Sequence, residues 1–113
     1  MKLTNAQLPP LLAQLPAWRM SPERGGTLAR EFVFHDFAQA WGFMSQVAVV
    51  AEKRNHHPEW SNVYNRGAVT LTTHDVDGLS MNDIEMARLM DRAFARLGAI
   101  SDPVEGTIPC SDS

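Results

Sequence analysis

The chain has 113 residues, a formal net charge of −3 at pH 7, and a composition that is 44% hydrophobic and 20% charged. That is enough apolar material for the core of one ordinary domain, and it excludes a disordered chain. The weak negative charge argues against a nucleic-acid partner, and the lack of a long apolar run argues against a membrane span or signal peptide. The single cysteine, Cys110, forms no internal disulfide, so we expect a reducing compartment, the cytoplasm.

The N-terminal third of the chain predicts a short helix followed by a β-hairpin. Thr4 and Gln7 have the spacing of a capping box, and leucines follow at helical spacing up to Leu15. Residues 18–20 predict a brief strand, and the alternation of apolar and polar residues over 27–34 predicts a longer one. The turn-forming sequence between them indicates that the two strands pair.

A second helix is predicted to begin after Asp36, whose side chain can cap it. Pro58 forbids its continuation, so His56 and His57 are expected at the helix exit. Trp41 is predicted to belong to the core rather than to a site. The apolar stripe predicted for this helix consists of Phe37, Trp41, Met44, Ala48 and Ala51, with Val47 beside it.

The C-terminal half predicts a second hairpin and a third helix. Residues 60–65 and 68–73 are expected to be strands, with Arg66–Gly67 as their turn. Ser80 and Asp83 have capping-box spacing at the start of the last helix, and Asp83 is interpreted as a structural cap. Gly98 is a suitable stop for this helix.

These elements predict an α+β domain of the order α-β-β-α-β-β-α over residues 1–100, followed by an irregular tail over residues 101–113. Four short antiparallel strands need one face covered, and three helices with single apolar stripes can cover it. We therefore expect a four-stranded antiparallel sheet with three helices packed on one face.

Histidines carry the most informative pattern for function. His56, His57 and His74 all lie beside predicted chain reversals, so the second hairpin can bring them together. Histidine titrates near neutral pH, and three converging imidazoles could exchange protons with a substrate. Two alternatives stay open: His57 and His74 could be plain turn and strand-end residues, or the group could bind a metal, although the spacing does not suit zinc. His35 is interpreted as a surface or capping residue.

The same residues carry a resemblance to a known family. Glu52, the triplet His56-His57-Pro58, Tyr64, His74 and Asp83 follow one another at the spacing of the pterin-4a-carbinolamine dehydratases. The segments HHPEWSNVYN and LTTHDVDGLS are similar to that family almost residue for residue. The resemblance extends over the whole chain except the C-terminal tail.

The resemblance implies the α+β fold predicted above and a homodimer or homotetramer. It also implies an activity, the dehydration of 4a-hydroxytetrahydrobiopterin to quinonoid dihydropterin without a cofactor or metal ion. This reaction recycles the cofactor of aromatic amino acid hydroxylases, so such a hydroxylase is a candidate partner. The alternative is a non-catalytic interaction protein, a dimerisation or assembly cofactor of the same fold. Retention of all three histidines favours the enzyme.

The resemblance further assigns roles to individual residues. His56 and His74 are implied as the proton-transfer pair, and His57 as the residue that orients the substrate and assists. Pro58 and the segment Thr73, His74, Asp75 and Val76 are implied to line the pterin pocket, with Glu52 at its edge.

Overall fold

A computed structural model describes the backbone of residues 1–101 and the side chains of residues 1–97. The predicted tail at 102–113 lies outside the described residues. Two short 3-10 turns, Glu23–Gly25 and His74–Val76, supplement the predicted order of elements, which is confirmed. The helices and strands are α1 (Leu8–Leu12), β1 (Arg19–Ser21), β2 (Thr27–Val33), α2 (Phe37–Arg54), β3 (Glu59–Val63), β4 (Arg66–Leu71) and α3 (Met81–Ser101).

The four strands form one antiparallel sheet in the order β1-β2-β4-β3. Both predicted hairpins are present, and β2 joins them by pairing with β4 so that Leu28 lies opposite Leu71. The predicted turn of the second hairpin is wrong by two residues, because the chain reverses at Tyr64–Asn65 and Arg66 already belongs to β4. Tyr64 adopts a positive φ of 51° there.

The second turn is fixed by side chains that bind the backbone. Asn62 donates to the carbonyls of Tyr64, at 3.1 Å, and Arg66, at 2.9 Å. Asn65 donates to the carbonyl of Phe34 at 2.9 Å. Asparagine satisfies turn backbone in this way, and these local bonds outweigh the preference of glycine for turns that placed the reversal at Gly67.

The core lies between one face of the sheet and the helices. The ring of Phe32 lies 4.8 Å from that of Phe43, measured between centroids. Trp18 is buried and donates through Nε1 to Asp91 on α3 at 2.8 Å. Arg30 also points to this face, where its guanidinium binds Asp91 at 2.6 Å and lies 4.2 Å from the Phe32 ring centroid. A polar network therefore ties the sheet to α3 inside a largely apolar interface.

The predicted apolar stripe of α2 is wrong in part. The buried residues of the helix are Ala40, Phe43, Val47 and Ala51, of which Ala51 was in that stripe and Val47 beside it. Met44 of the stripe is partly buried and also packs against the core. Phe37 and Trp41 are 50% and 57% exposed and stack on each other, with centroids 6.1 Å apart. Trp41 is therefore not a core residue. Because α2 is apolar on two neighbouring faces, the sequence pattern does not distinguish the face that packs on the sheet.

The three predicted N-terminal caps are present, including that of α3, where the Ser80 N–H binds Asp83 at 3.0 Å, but the predicted stop at Gly98 is not. Thr4 and Gln7 form a reciprocal capping box before α1, with bonds of 2.8 and 3.2 Å. Asp36 caps α2 by accepting from the Gln39 N–H at 2.8 Å. Gly98 does not stop α3, which continues to Ser101. A glycine inside a helix costs only about 1 kcal/mol, so the helix can continue through it. No helix in the described part of the chain is long and apolar enough to cross a membrane.

Candidate active site

The C-terminal end of α2 delivers His56 into the protein. Asn55 adopts the left-handed conformation (φ 53°, ψ 43°) and closes the helix, and the N–H of His56 then binds the Ala51 carbonyl at 3.0 Å. This is a Schellman-type termination, which asparagine tolerates better than most residues. The helix thus ends before Pro58 can interrupt it, and His56 turns inward to 8% exposure.

His56 contacts the carboxylate of Asp83. Its Nε2 lies 2.6 Å from Oδ1, and Asp83 has no exposed surface. The other oxygen, Oδ2, accepts from the Thr73 hydroxyl at 2.7 Å and from the Ser80 N–H at 3.0 Å. An ionised carboxylate only accepts hydrogen bonds, so this arrangement places a proton on Nε2 of His56. Asp83 therefore joins the end of α2, the exit of β4 and the start of α3.

The interpretation of Asp83 as a structural cap is incomplete. The bond from the Ser80 N–H confirms the cap, but the same side chain also holds His56. Local spacing reveals only the contact three residues away, whereas His56 is 27 residues away in sequence. An aspartate at the third helical position has a sufficient local explanation as a cap, and only its place in the family signature pointed beyond it.

His57 points outward beside Glu52. Its Nε2 lies 3.0 Å from the Glu52 carboxylate, and the two side chains are 58% and 82% exposed. Glu52 lies in the last turn of α2, which brings it next to the residues that follow the helix. Pro58 is half-buried between His57 and β3. These residues form an exposed rim next to the buried pair of His56 and Asp83.

His74 opens the short turn after β4 and is 76% exposed, so it does not point into the core. Its Nε2 lies 3.6 Å from Oε2 of Glu59, the first residue of β3. Glu59 in turn accepts two hydrogen bonds of 2.9 Å from the guanidinium of Arg24. Sequence reasoning missed both Glu59 and Arg24, which are 35 residues apart. Glu59 directly follows His56-His57-Pro58 in the sequence, and this position was the signal that could have identified it as a candidate site residue.

A cavity of about 530 Å³ lies beside His74. Its walls are Lys2, Arg24–Gly25, residues 72–74 and residues 77–78. Thr73 and His74 are thus the predicted site residues that line it. The other predicted residues, His56, His57, Glu52, Pro58, Asp75 and Val76, do not.

Asp83 links His56 to the residue before His74, whereas His57 pairs separately with Glu52. Within residues 1–97, no hydrogen bond or ion pair joins one of these rings to another. Asp83, the partner of His56, also binds Thr73, the residue before His74. Within the same residues, no group of three histidine, cysteine, aspartate or glutamate side chains is arranged to hold a metal ion. The arrangement offers imidazoles, each beside a carboxylate, that can donate and accept protons.

The carboxyl group of Glu59 is expected to titrate below the value of about 4.3 that is usual for glutamate. The two hydrogen bonds and the charge of Arg24 hold the pKa of Glu59 below its usual range, against the effect of partial burial. A lowered pKa means that this ion pair stabilises the fold at neutral pH and is lost as the pH falls through it. Carbon-13 NMR of the side-chain carboxyl measures the midpoint. In Arg24→Ala the midpoint should rise, and an unchanged midpoint would contradict this cause.

A family model and individual relatives of this chain carry the same description. The family model described as "Pterin 4 alpha carbinolamine dehydratase" matches residues 1–93. A relative from Novosphingobium aromaticivorans is 59% identical over 90 residues, covering 80% of this chain and 93% of that protein. One from Burkholderia cenocepacia is 50% identical over 94 residues, covering 83% and 91%. Both are named "Putative pterin-4-alpha-carbinolamine dehydratase".

Two solved structures share the fold. A crystal structure described as a "transcriptional coactivator/pterin dehydratase" from Brucella melitensis is 44% identical, with a TM-score of 0.78, and covers 82% of this chain and 98% of its own. A pterin dehydratase-like protein described as a RuBisCO assembly factor in the alpha-carboxysome has a TM-score of 0.60 at 20% identity, covering 69% and 89%. The second likeness shows the fold alone. On the family match and these identities, the chain belongs to the pterin 4 alpha carbinolamine dehydratase family.

Proposed function

We propose that the protein removes water from 4a-hydroxytetrahydrobiopterin and releases quinonoid dihydropterin. The observation that carries this proposal is the placement of His56, whose Nε2 is held 2.6 Å from the buried carboxylate of Asp83, in a chain of this family. A histidine held against a buried carboxylate in this way is positioned for proton transfer.

The reaction needs two proton transfers. The bond between C4a and its hydroxyl oxygen breaks, and an acid supplies the proton with which that oxygen leaves as water. A base removes the proton on N5, and the double bond between C4a and N5 forms. His56 and His74 are the proposed pair for these transfers, because each presents an imidazole next to a carboxylate. No redox step occurs, so no organic cofactor is required.

The remaining residues are proposed to position the pterin. His57 with Glu52 forms the exposed rim, where hydrogen-bonding groups can reach the pterin ring. Pro58, Thr73, Asp75 and Val76 complete the proposed lining. The substrate arises as the product of aromatic amino acid hydroxylases, so such an enzyme is the proposed source and a proposed partner.

The direct test is the rate of dehydration. 4a-Hydroxytetrahydropterin generated in situ by a hydroxylase is followed by ultraviolet absorbance as it loses water, with and without the purified protein. A catalytic amount of protein should raise the rate of dehydration above the spontaneous rate in buffer. A rate that does not depend on protein concentration would reject the enzyme and leave the interaction protein of the same fold, the role named for two structural relatives.

Dehydration is expected to survive removal of metal ions. The proton transfers use imidazoles, and the histidine spacing does not suit zinc. Protein treated with EDTA and then dialysed should keep its full rate in the absorbance assay. Loss of the rate on chelation, with recovery on adding zinc, would contradict acid–base catalysis by histidine alone.

We also propose that the protein is a homo-oligomer that associates through the outer face of α2. Residues 37–51 contain no charged side chain, although Phe37, Trp41 and Val49 are half or more exposed. Such an uncharged, aromatic face on a helix is typical of a protein interface. A second copy of the chain is the proposed occupant, because the family resemblance implies a homodimer or homotetramer.

Trp41→Glu is expected to dissociate the oligomer. Exposed tryptophans at interfaces often contribute about 2 kcal/mol or more, equivalent to roughly 30-fold in Kd. Light scattering after size exclusion gives the mass as a function of concentration. Met20→Glu, which adds the same charge to an exposed residue of β1, is the control and should keep the wild-type mass. A wild-type protein that is monomeric at every concentration would rule the interface out.

A further inference from the structure

We infer that Glu59 is a positioning residue for His74, and that Arg24 holds Glu59 in place for this task. The carboxylate keeps the proton of the neutral imidazole on Nε2 and leaves Nδ1 as the nitrogen available to a substrate. The inference rests on the proposed function for its consequence in catalysis, but the tautomer itself can be measured without any activity.

Arg24 holds the carboxylate of Glu59 in a fixed orientation. The guanidinium of Arg24 donates from Nη1 to Oε2 and from Nη2 to Oε1 of Glu59, each at 2.9 Å. Two parallel bonds of this kind fix the orientation of a carboxylate as well as its position. The side chains are about half exposed, 48% and 47%, so the geometry matters more than the energy of the pair.

Two loops in close contact fix the position of Arg24. Arg24 adopts a left-handed backbone conformation, φ 54° and ψ 31°, which is uncommon for arginine. Next to it, a Cβ on Gly25 would collide with the Asp77 carbonyl, so the loops at 22–26 and 74–78 are in close contact. The buried hydroxyl of Thr72 lies 2.8 Å from the Gly26 carbonyl and 3.3 Å from the Gly78 carbonyl, and so joins both loops to the end of β4.

The fixed carboxylate of Glu59 faces the ring of His74. Nε2 of the ring lies 3.6 Å from Oε2 of Glu59, longer than a hydrogen bond but close enough for a charge to act. A carboxylate only accepts, so it stabilises the ring form with a proton on Nε2 over the form with a lone pair there. Within residues 1–97, no other hydrogen bond or ion pair holds this ring, which is 76% exposed.

His56 faces a carboxylate in the same way as His74. Its Nε2 also faces a carboxylate, that of Asp83, which is buried and fixed by Thr73 and Ser80. The proposed proton-transfer pair therefore shares one arrangement, in which a carboxylate faces Nε2 of each ring. For the buried ring the fold itself supplies a rigid carboxylate. For the exposed ring, Arg24 supplies the rigidity that burial does not.

The test compares Glu59→Ala, Arg24→Ala and Arg24→Lys with the wild-type protein. A matched control is the exposed pair Arg66 and Glu31, 3.1 Å apart across β4 and β2, which contacts none of the three histidines. Nitrogen-15 NMR of the imidazole reports the tautomer of His74, and steady-state kinetics report kcat and KM for 4a-hydroxytetrahydropterin. The control variants are Glu31→Ala and Arg66→Ala.

We expect His74 of the wild type to be mainly the Nε2–H tautomer and to lose that preference in Glu59→Ala. The value of kcat should fall about 10-fold, as when carboxylates that orient metal-bound histidines are removed, while KM changes little. Arg24→Ala should act in the same direction but less. Arg24→Lys should keep only part of the tautomer preference and of kcat, since lysine lacks the planar guanidinium that binds both carboxylate oxygens. Both control variants should match the wild type.

An unchanged His74 tautomer in Glu59→Ala overturns the inference, and so does a loss of kcat no greater than in Glu31→Ala. The proposed function fails separately. If the wild type does not accelerate dehydration but Glu59→Ala still shifts the tautomer, the positioning role stands and the dehydratase assignment falls.

Discussion

Replacing His56 or His74 is expected to lower the rate of dehydration by about 10²–10⁴-fold, the range typical of a general acid or base. Each ring is the proposed donor or acceptor of one proton, and no neighbouring imidazole of the described residues is bonded to it as a substitute. For His74 the alanine variant is suitable, because the side chain is 76% exposed and its loss leaves the core intact.

His56 needs a gentler replacement than alanine. The sequence places it at a helix exit, where little stability is at stake, but the structure buries it against Asp83. Removing the ring would leave a buried carboxylate without one partner, which is destabilising. His56→Gln keeps an N–H donor near the position of Nε2 but cannot transfer a proton, so it separates chemistry from folding.

The rates are measured after subtracting spontaneous dehydration, with circular dichroism to verify the fold. His35→Ala is the control, because His35 is exposed and lies before α2, apart from the site. His57→Ala should raise KM more than it lowers kcat, since its proposed role is orientation. Near-wild-type rates in folded His56→Gln and His74→Ala would disprove the assignment of the pair.

Asp83→Ala is expected to cost both stability and activity. A lost N-cap alone costs about 1 kcal/mol, but Asp83 is fully buried and also binds His56 and Thr73. Asp83→Ala leaves the His56 ring, the Thr73 hydroxyl and the Ser80 N–H without their acceptor. A buried polar group left unpaired costs about 1–3 kcal/mol, so urea titration should show a loss of unfolding free energy larger than that of a lost cap. Asp83→Asn keeps the shape but no longer selects the Nε2–H form of His56, and its rate should fall on the order of 10²-fold, as for histidines deprived of an orienting carboxylate.

Asp36 provides the matched control for this prediction. It also caps a helix, accepting from the Gln39 N–H at 2.8 Å, but it is exposed and contacts no site residue. Asp36→Ala should cost about 1 kcal/mol and leave the rate unchanged. If Asp83→Asn and Asp83→Ala resemble the corresponding Asp36 variants in both stability and rate, the contact with His56 has no role in the chemistry.

Local patterns in the sequence predict the elements well, and the fold follows from their order. The capping boxes, the alternation in β2 and the two hairpins are properties of residues a few positions apart. The packed face of α2 is not such a property. Phe37 and Trp41 lie on an apolar stripe as continuous as that of Phe43 and Val47, and only the position of the sheet selects between the two.

The site was predicted less completely, because its partners are distant in sequence. The grouping of the three histidines in one site stays a prediction from their spacing; of the predicted site residues, Thr73 and His74 line a cavity. The carboxylates that hold the rings do not follow from spacing, since an aspartate at a helix start and a glutamate at a strand start have ordinary local explanations. The pairs His56 with Asp83 and Arg24 with Glu59 bridge 27 and 35 residues, and only the folded chain brings them together.

The most direct test of the account is whether one pterin reaches all three histidines at once. Nitrogen-15 NMR of the imidazoles can follow a titration with a dihydropterin that lacks the 4a-hydroxyl and so cannot be dehydrated. We predict that the resonances of His56, His57 and His74 shift with a single common Kd, while those of His35 do not move. Shifts confined to one of the three, or different Kd values for His56 and His74, would contradict a single site built from these residues.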